Sequence, residues 1–146
     1  MPDAEAAKKA SDYLETCMQE QNSAGGMVEC MITGVPAGIG EPAFEKLNAN
    51  LGKAILSIGA VKAFEIGDGI AVAQSDGLHN NDAYWADEAG HITKKTNHSG
   101  GITGGISDGC EILFRAAFKP TPSISATQES VTRTGENLDI SIKGRH

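Results

Sequence analysis

Residues 97 to 109 read NHSGGITGGISDG, with five glycines in thirteen positions. Gly loses more backbone freedom on folding than any other residue, so such a segment does not form the interior of a regular helix or strand. In return it offers positive φ and close approach of the backbone to a neighbour. The fold must therefore place its regular elements before and after this segment and use the segment itself as a tight crossing or a ligand cradle. Spacing alone leaves those two open. The segment lacks the GK[ST] of a Walker A loop, and its glycines do not fit GxGxxG.

On the N-terminal side, Ala6, Ala10, Tyr13, Leu14, Cys17 and Met18 recur at helical spacing, with Asp3 as N-cap and the glycine pair of NSAGG as a left-handed stop. MVECMIT alternates as a strand. After the loop GVPAGIGEP, Pro42 opens a second helix with Phe44, Leu47, Leu51, Ala54 and Ile55 on one face, ending near Ser57. AVKAFEIG and IAVAQ read as strands broken by GDG. From residue 75 to 109 little periodicity survives, which predicts a long functional or mobile glycine-rich loop. Beyond it, EILFRAAFK alternates as a strand, and ESVTRTGENLDISIK reads as a hairpin. Helices set apart from strand runs predict an α+β fold, and no repeat or domain boundary interrupts the 146 residues.

A formal net charge of −7 argues against a nucleic-acid surface. No apolar run approaches the roughly 20 residues of a membrane span, and the N-terminus has no signal-peptide pattern. Cys17, Cys30 and Cys110 are odd in number and lack CxxC spacing, so they read as reduced, mostly buried thiols of a cytoplasmic protein. The histidines show no metal-ligand spacing; His98 stands out because it adjoins the glycines. Glu65 and Asp68 of EIGDG would face opposite sides of a strand and read as solvated turn acids.

Just downstream, Lys119, Pro120, Thr121, Pro122 and Ser123 put one point charge and two hydroxyls on a segment held extended by two prolines. Those are the parts of a phosphate monoester site. An ordinary strand exit has the same composition.

Taken together, GVPAGIGEPAFEKLNANLGKAILSIGAVKAFEIGDG, NHSGGITGGISDG, FKPTPSI and the closing GRH closely resemble the chorismate synthase family, in order and over essentially the whole chain. The resemblance implies part of a β-α-β sandwich, an antiparallel sheet packed on two long helices, and assembly as a homotetramer. It implies a lyase that eliminates phosphate from 5-enolpyruvylshikimate 3-phosphate to give chorismate with reduced FMN, without net redox change. Carried over motif by motif, Gly59, Ala60 and Gly104 line the flavin, and Lys119, Pro120, Thr121, Pro122, Ser123 and Arg145 contact it. The chain departs from the family at Gly59, at Ala63 and at Asp108, which adds a negative charge near an anionic cofactor; GLHNND keeps Asn81 and Asp82. The GESHG-type motif and the Asp of RHD do not occur in these residues. The expectation is a single partial domain carrying cofactor-side residues and inactive alone. The alternatives are a non-catalytic FMN or phosphate-binding module and a self-associating structural piece.

Overall fold

The structure is a computed structural model that describes residues 3–143. The described residues form two compact units, one of residues 27–118 and one of residues 3–26 with 119–143.

In the 27–118 unit the core is a three-stranded sheet of β1 (Gly26–Ile32), β2 (Val61–Ile66) and a later strand, Ile112–Phe118, in the order β1, Ile112–Phe118, β2. The last two strands run antiparallel, with Phe64 opposite Ala116 and Ile66 opposite Phe114. The predicted alternation of EILFRAAFK holds: Ile112, Phe114 and Ala116 are buried. Burying a large apolar side chain contributes about 1.5–3 kcal/mol, so this face anchors the unit. Helix α2 (Leu47–Leu56) packs on β2 and sends Leu47, Leu51 and Ile55 against Ile102, Ile112 and Phe114. Gly52 on this helix faces the Phe64 ring so closely that a Cβ would sit 3.3 Å from it. Phe64 in turn meets Phe114 with ring centroids 5.5 Å apart.

Three expectations are corrected here. The second helix starts at Leu47 rather than Pro42, and Phe44 lies outside it, 96% exposed and at φ 56°. The carbonyl of Gly105, from the glycine segment, accepts the Leu47 N–H at 2.7 Å, so a distant partner sets the helix start. IAVAQ is a 3-10 turn, Gly69–Gln74, instead of a strand. Residues 75–109 also hold regular elements: a helical turn α3 (Gly77–Asn80) and hairpins β3 (Tyr84–Ala86) with β4 (Ile92–Lys94) and β5 (Ile102–Thr103) with β6 (Ile106–Ser107). Each spans two to four residues, too short for period-2 or period-3.6 patterning to register. The strand Ile112–Phe118 is β7.

In the other unit, α1 (Ala4–Gln19) starts as predicted, with the Asp3 carboxylate accepting the Ala6 N–H at 2.6 Å. Its stop differs. Gln21, at φ 56°, takes the left-handed position in place of the glycines. The Asn22 N–H bonds to the Cys17 carbonyl and the Gln21 N–H to that of Met18, the two bonds of a Schellman cap. The tail forms the predicted hairpin, β8 (Gln128–Val131) with β9 (Asn137–Ile140). All three cysteines are free; Cys17 is buried, Cys30 and Cys110 half-buried. The α+β class and the antiparallel sheet stand, while α2 at ten residues is shorter than the long helix expected.

Candidate functional site

The glycine segment is locked from both ends. Gly100, at φ +66°, lies against the turn after β2: a Cβ there would be 2.7 Å from Gly67 Cα and 2.8 Å from the Leu113 carbonyl oxygen. Only glycine allows this crossing. At the far end Ser107 is buried, donating to the Pro36 carbonyl at 2.7 Å and accepting the Ile39 N–H at 2.9 Å. Between these anchors the β5–β6 turn carries Gly104, at φ +62° with nothing within 4 Å of a built Cβ. This glycine presents bare backbone to open space.

Beneath the segment sits an ionic cluster that the sequence reading missed. Lys94 Nζ donates to Asp108 Oδ2 at 2.7 Å, to Ser99 Oγ at 2.8 Å and to Asp82 Oδ2 at 3.3 Å. The Lys94 side chain is 1% exposed and each carboxylate 8%. Asp82 also accepts the Thr96 hydroxyl and the N–H groups of His98 and Ser99. Burial alone would raise its pKa, but these bonds hold the carboxyl well below the usual range. For Asp108 burial likewise opposes ionisation and is outweighed by Lys94, the Cys110 N–H and Thr103. Lys94 is raised: burial disfavours its charge, and the bonds to Asp108 and Asp82 overcome that. Burial, with the Asp108 charge beside it, pushes the Cys110 thiol up, so this cysteine is a poor nucleophile. The negative charge expected from Asp108 near a cofactor is thus held by a buried cation.

His98 and Asp68, read as ordinary loop residues apart from His98's position, form a pair. His98 Nδ1 lies 2.6 Å from Asp68 Oδ2, and the Asp68 N–H donates to the His98 carbonyl at 2.9 Å. A carboxylate only accepts, so Nδ1 carries the proton. Asp68 is therefore a fastening between the β2 turn and the glycine segment. A cavity of about 1020 Å³ opens beside these groups, lined by Phe64 and Ile66 of β2 together with Tyr84, Lys94, His98 and Thr103.

The residues that the family resemblance assigns to the flavin fall as follows. Gly59 and Ala60 form the turn between α2 and β2; a Cβ on Gly59 meets nothing within 4 Å, and Ala60 holds φ 71°. An L residue in that region is costly and marks a backbone path set by more than local preference. Neither residue lines the cavity, nor does Gly104. In the other unit, Lys119, Pro120, Thr121 and Pro122 are exposed and Ser123 half-buried on an extended run. The Thr121 carbonyl accepts Ser23 Oγ at 2.7 Å and the Pro122 carbonyl accepts Gln128 Nε2 at 3.3 Å, so the main chain is pinned. Among the described residues, the Lys119 ammonium and the Thr121 and Ser123 hydroxyls have no hydrogen-bond partner. Arg145 lies outside the described residues. Within their own unit, Gly59 and Gly104 leave backbone open to space; Lys119 and Thr121 are exposed and Ser123 is half-buried in theirs.

Helices packed beside antiparallel strands place the chain in the α+β class. A chorismate synthase family profile matches residues 1–146, and this chain belongs to the chorismate synthase family. It is 63% identical over 146 residues to a chorismate synthase of Lachnoclostridium phytofermentans, covering all of this chain and 40% of that protein. It is 60% identical to one from Agathobacter rectalis over the same span, and 52% identical over 145 residues to one from Methanosarcina mazei. A crystal structure of chorismate synthase superposes with a TM-score of 0.77 at 30% identity, covering 82% of this chain and 36% of the other. The chain thus spans about 40% of the length of the curated relatives it matches. Among the described residues, no helix is long and apolar enough to cross a membrane.

Proposed function

We propose that this chain is the flavin-side part of a chorismate synthase and binds reduced FMN through Gly59, Ala60, Gly104, Lys119, Pro120, Thr121, Pro122, Ser123 and Arg145. The observation that carries the reading is similarity along all 146 residues to chorismate synthases at up to 63% identity. The family reaction eliminates phosphate from 5-enolpyruvylshikimate 3-phosphate to give chorismate. Reduced flavin, when bound, supplies an electron-rich surface beside the carbon framework from which phosphate departs.

The residues of this chain bind and orient. Lys119, with Thr121 and Ser123, offers a cation and two hydroxyl donors to the FMN phosphate, on a backbone pre-set by Pro120 and Pro122 so that little ordering is needed on binding. Gly59 and Gly104 leave main chain open to the ring system. In this reading the named groups bind FMN and carry no acid–base step, and the 146 residues alone are expected to form no chorismate. In a whole enzyme of this family the partners are 5-enolpyruvylshikimate 3-phosphate, FMN and three further copies.

Anaerobic titration of reduced FMN, and of oxidised FMN by flavin fluorescence, tests the reading. Binding is expected in both, with Lys119→Ala weakening it about tenfold, the worth of one charge-assisted hydrogen bond. No binding at millimolar protein overturns the cofactor assignment. Chorismate formed by the purified chain with reduced FMN and substrate overturns the assignment of a purely cofactor-side role.

A further inference from the structure

We propose that Lys94 is a positioning residue for flavin binding: it sets the Gly104 turn by tying together the two ends of the glycine segment, and it does not touch the cofactor. The inference rests on the flavin reading given above.

An ammonium has three N–H donors, and Lys94 places all three on protein acceptors, Asp82, Asp108 and Ser99. The two carboxylates hold opposite ends of the segment. Asp82 accepts from Thr96, His98 and Ser99, where the segment begins. Asp108 accepts from Thr103 Oγ1 at 3.0 Å and the Cys110 N–H at 3.1 Å, where it ends. Lys94, fixed on β4, bridges them at a depth where screening by water is weak. Without it, two nearly buried like charges face each other, and the flexible glycines between them are the element that yields. The cluster sums to −1, one cation against two carboxylates, and the Lys94 charge is spent inside it. Attraction of the FMN phosphate therefore has to come from elsewhere.

Breaking a buried ion pair from one side is far more disruptive than never building it, because an unpaired charge stays behind. The test uses the whole 146-residue chain and reads two things: amide hydrogen exchange along the segment and FMN affinity by flavin fluorescence. In Lys94→Met, exchange at His98, Ser99, Asp108 and Cys110 is expected to rise about a hundredfold while β2 and β7 keep their protection. FMN affinity falls about tenfold as the competent turn becomes a minority conformer. Lys94→Arg, which keeps the charge, restores both to near wild type.

Asp108→Asn provides a milder second variant should Lys94→Met fail to fold. It loosens the exit end, at Cys110, and leaves His98 and Ser99 protected through Asp82. Weakened FMN binding with unchanged exchange would make Lys94 a direct ligand and overturn the proposal. So would a rise in exchange spread evenly over β2 and β7, or no change in exchange in either variant. If the wild-type chain does not bind FMN, the flavin reading falls, while a localised exchange change still upholds Lys94 as the tie of the segment.

Discussion

At the scale of single residues, two glycines of one segment are needed for different reasons. Gly100 is required by packing: its neighbours are backbone atoms of Gly67 and Leu113, which cannot rotate away. Gly100→Ala combines left-handed strain with a collision, and a loss of about 3 kcal/mol in urea-unfolding stability is expected. Gly104 has the same sign of φ and no neighbour. Gly104→Ala should cost only about 1 kcal/mol of stability, and its main effect should appear in FMN affinity. Equal stability losses in the two variants would contradict this division. The difference between the two glycines was not readable from NHSGGITGGISDG, because it lies in the backbone atoms of residues 67 and 113 that stand against one of them.

At the scale of elements, the parts set by local interactions behaved as their sequences predict. The N-cap of α1 is one side chain bonding an amide three residues on, so Asp3→Ala should lower the stability of its unit by about 1 kcal/mol, measured by helical circular dichroism in urea. The strand β7 follows its alternation because one face meets the core. Elements set by distant partners were misread. Phe44 has helical spacing, but the Gly105 carbonyl caps the helix at Leu47 and leaves Phe44 outside. IAVAQ is apolar enough for a strand, yet it follows Asp68, which His98 of the glycine segment fastens, and it curls into a 3-10 turn with the Ala71 N–H bonding the Asp68 carbonyl at 3.2 Å.

At the scale of the whole molecule, the Asp82–Lys94–Asp108 cluster links charge to stability. Asp82 and Asp108 are depressed in the folded chain, so their contribution is present above the unfolded carboxylate value of about 3.9 and is lost as pH falls through the folded values. Lys94 is raised, so its contribution is present below the unfolded value of about 10.4 and is lost as pH rises through the folded one. The expected profile is a plateau between about pH 4 and about pH 10 that falls on both sides. Trp85, the one tryptophan of the chain, lies on β3 and reports this unit. Its fluorescence in urea should show Asp82→Asn about 3 kcal/mol less stable at pH 7, a gap that closes below about pH 4. A gap that stays constant with pH would show that the Asp82 charge is not what the fold uses.

The sequence by itself determined the class of fold, the α1 and β7 elements, the hairpin at the tail and the family, because these depend on local periodicity or on long runs of matching residues. Only the tertiary structure decided the ionic cluster, the His98–Asp68 fastening and the true start of α2. NND, KKTNHS and SDG are unremarkable polar stretches in one dimension. They become a site because three segments fold over one lysine and exclude the water that would otherwise leave their charges independent.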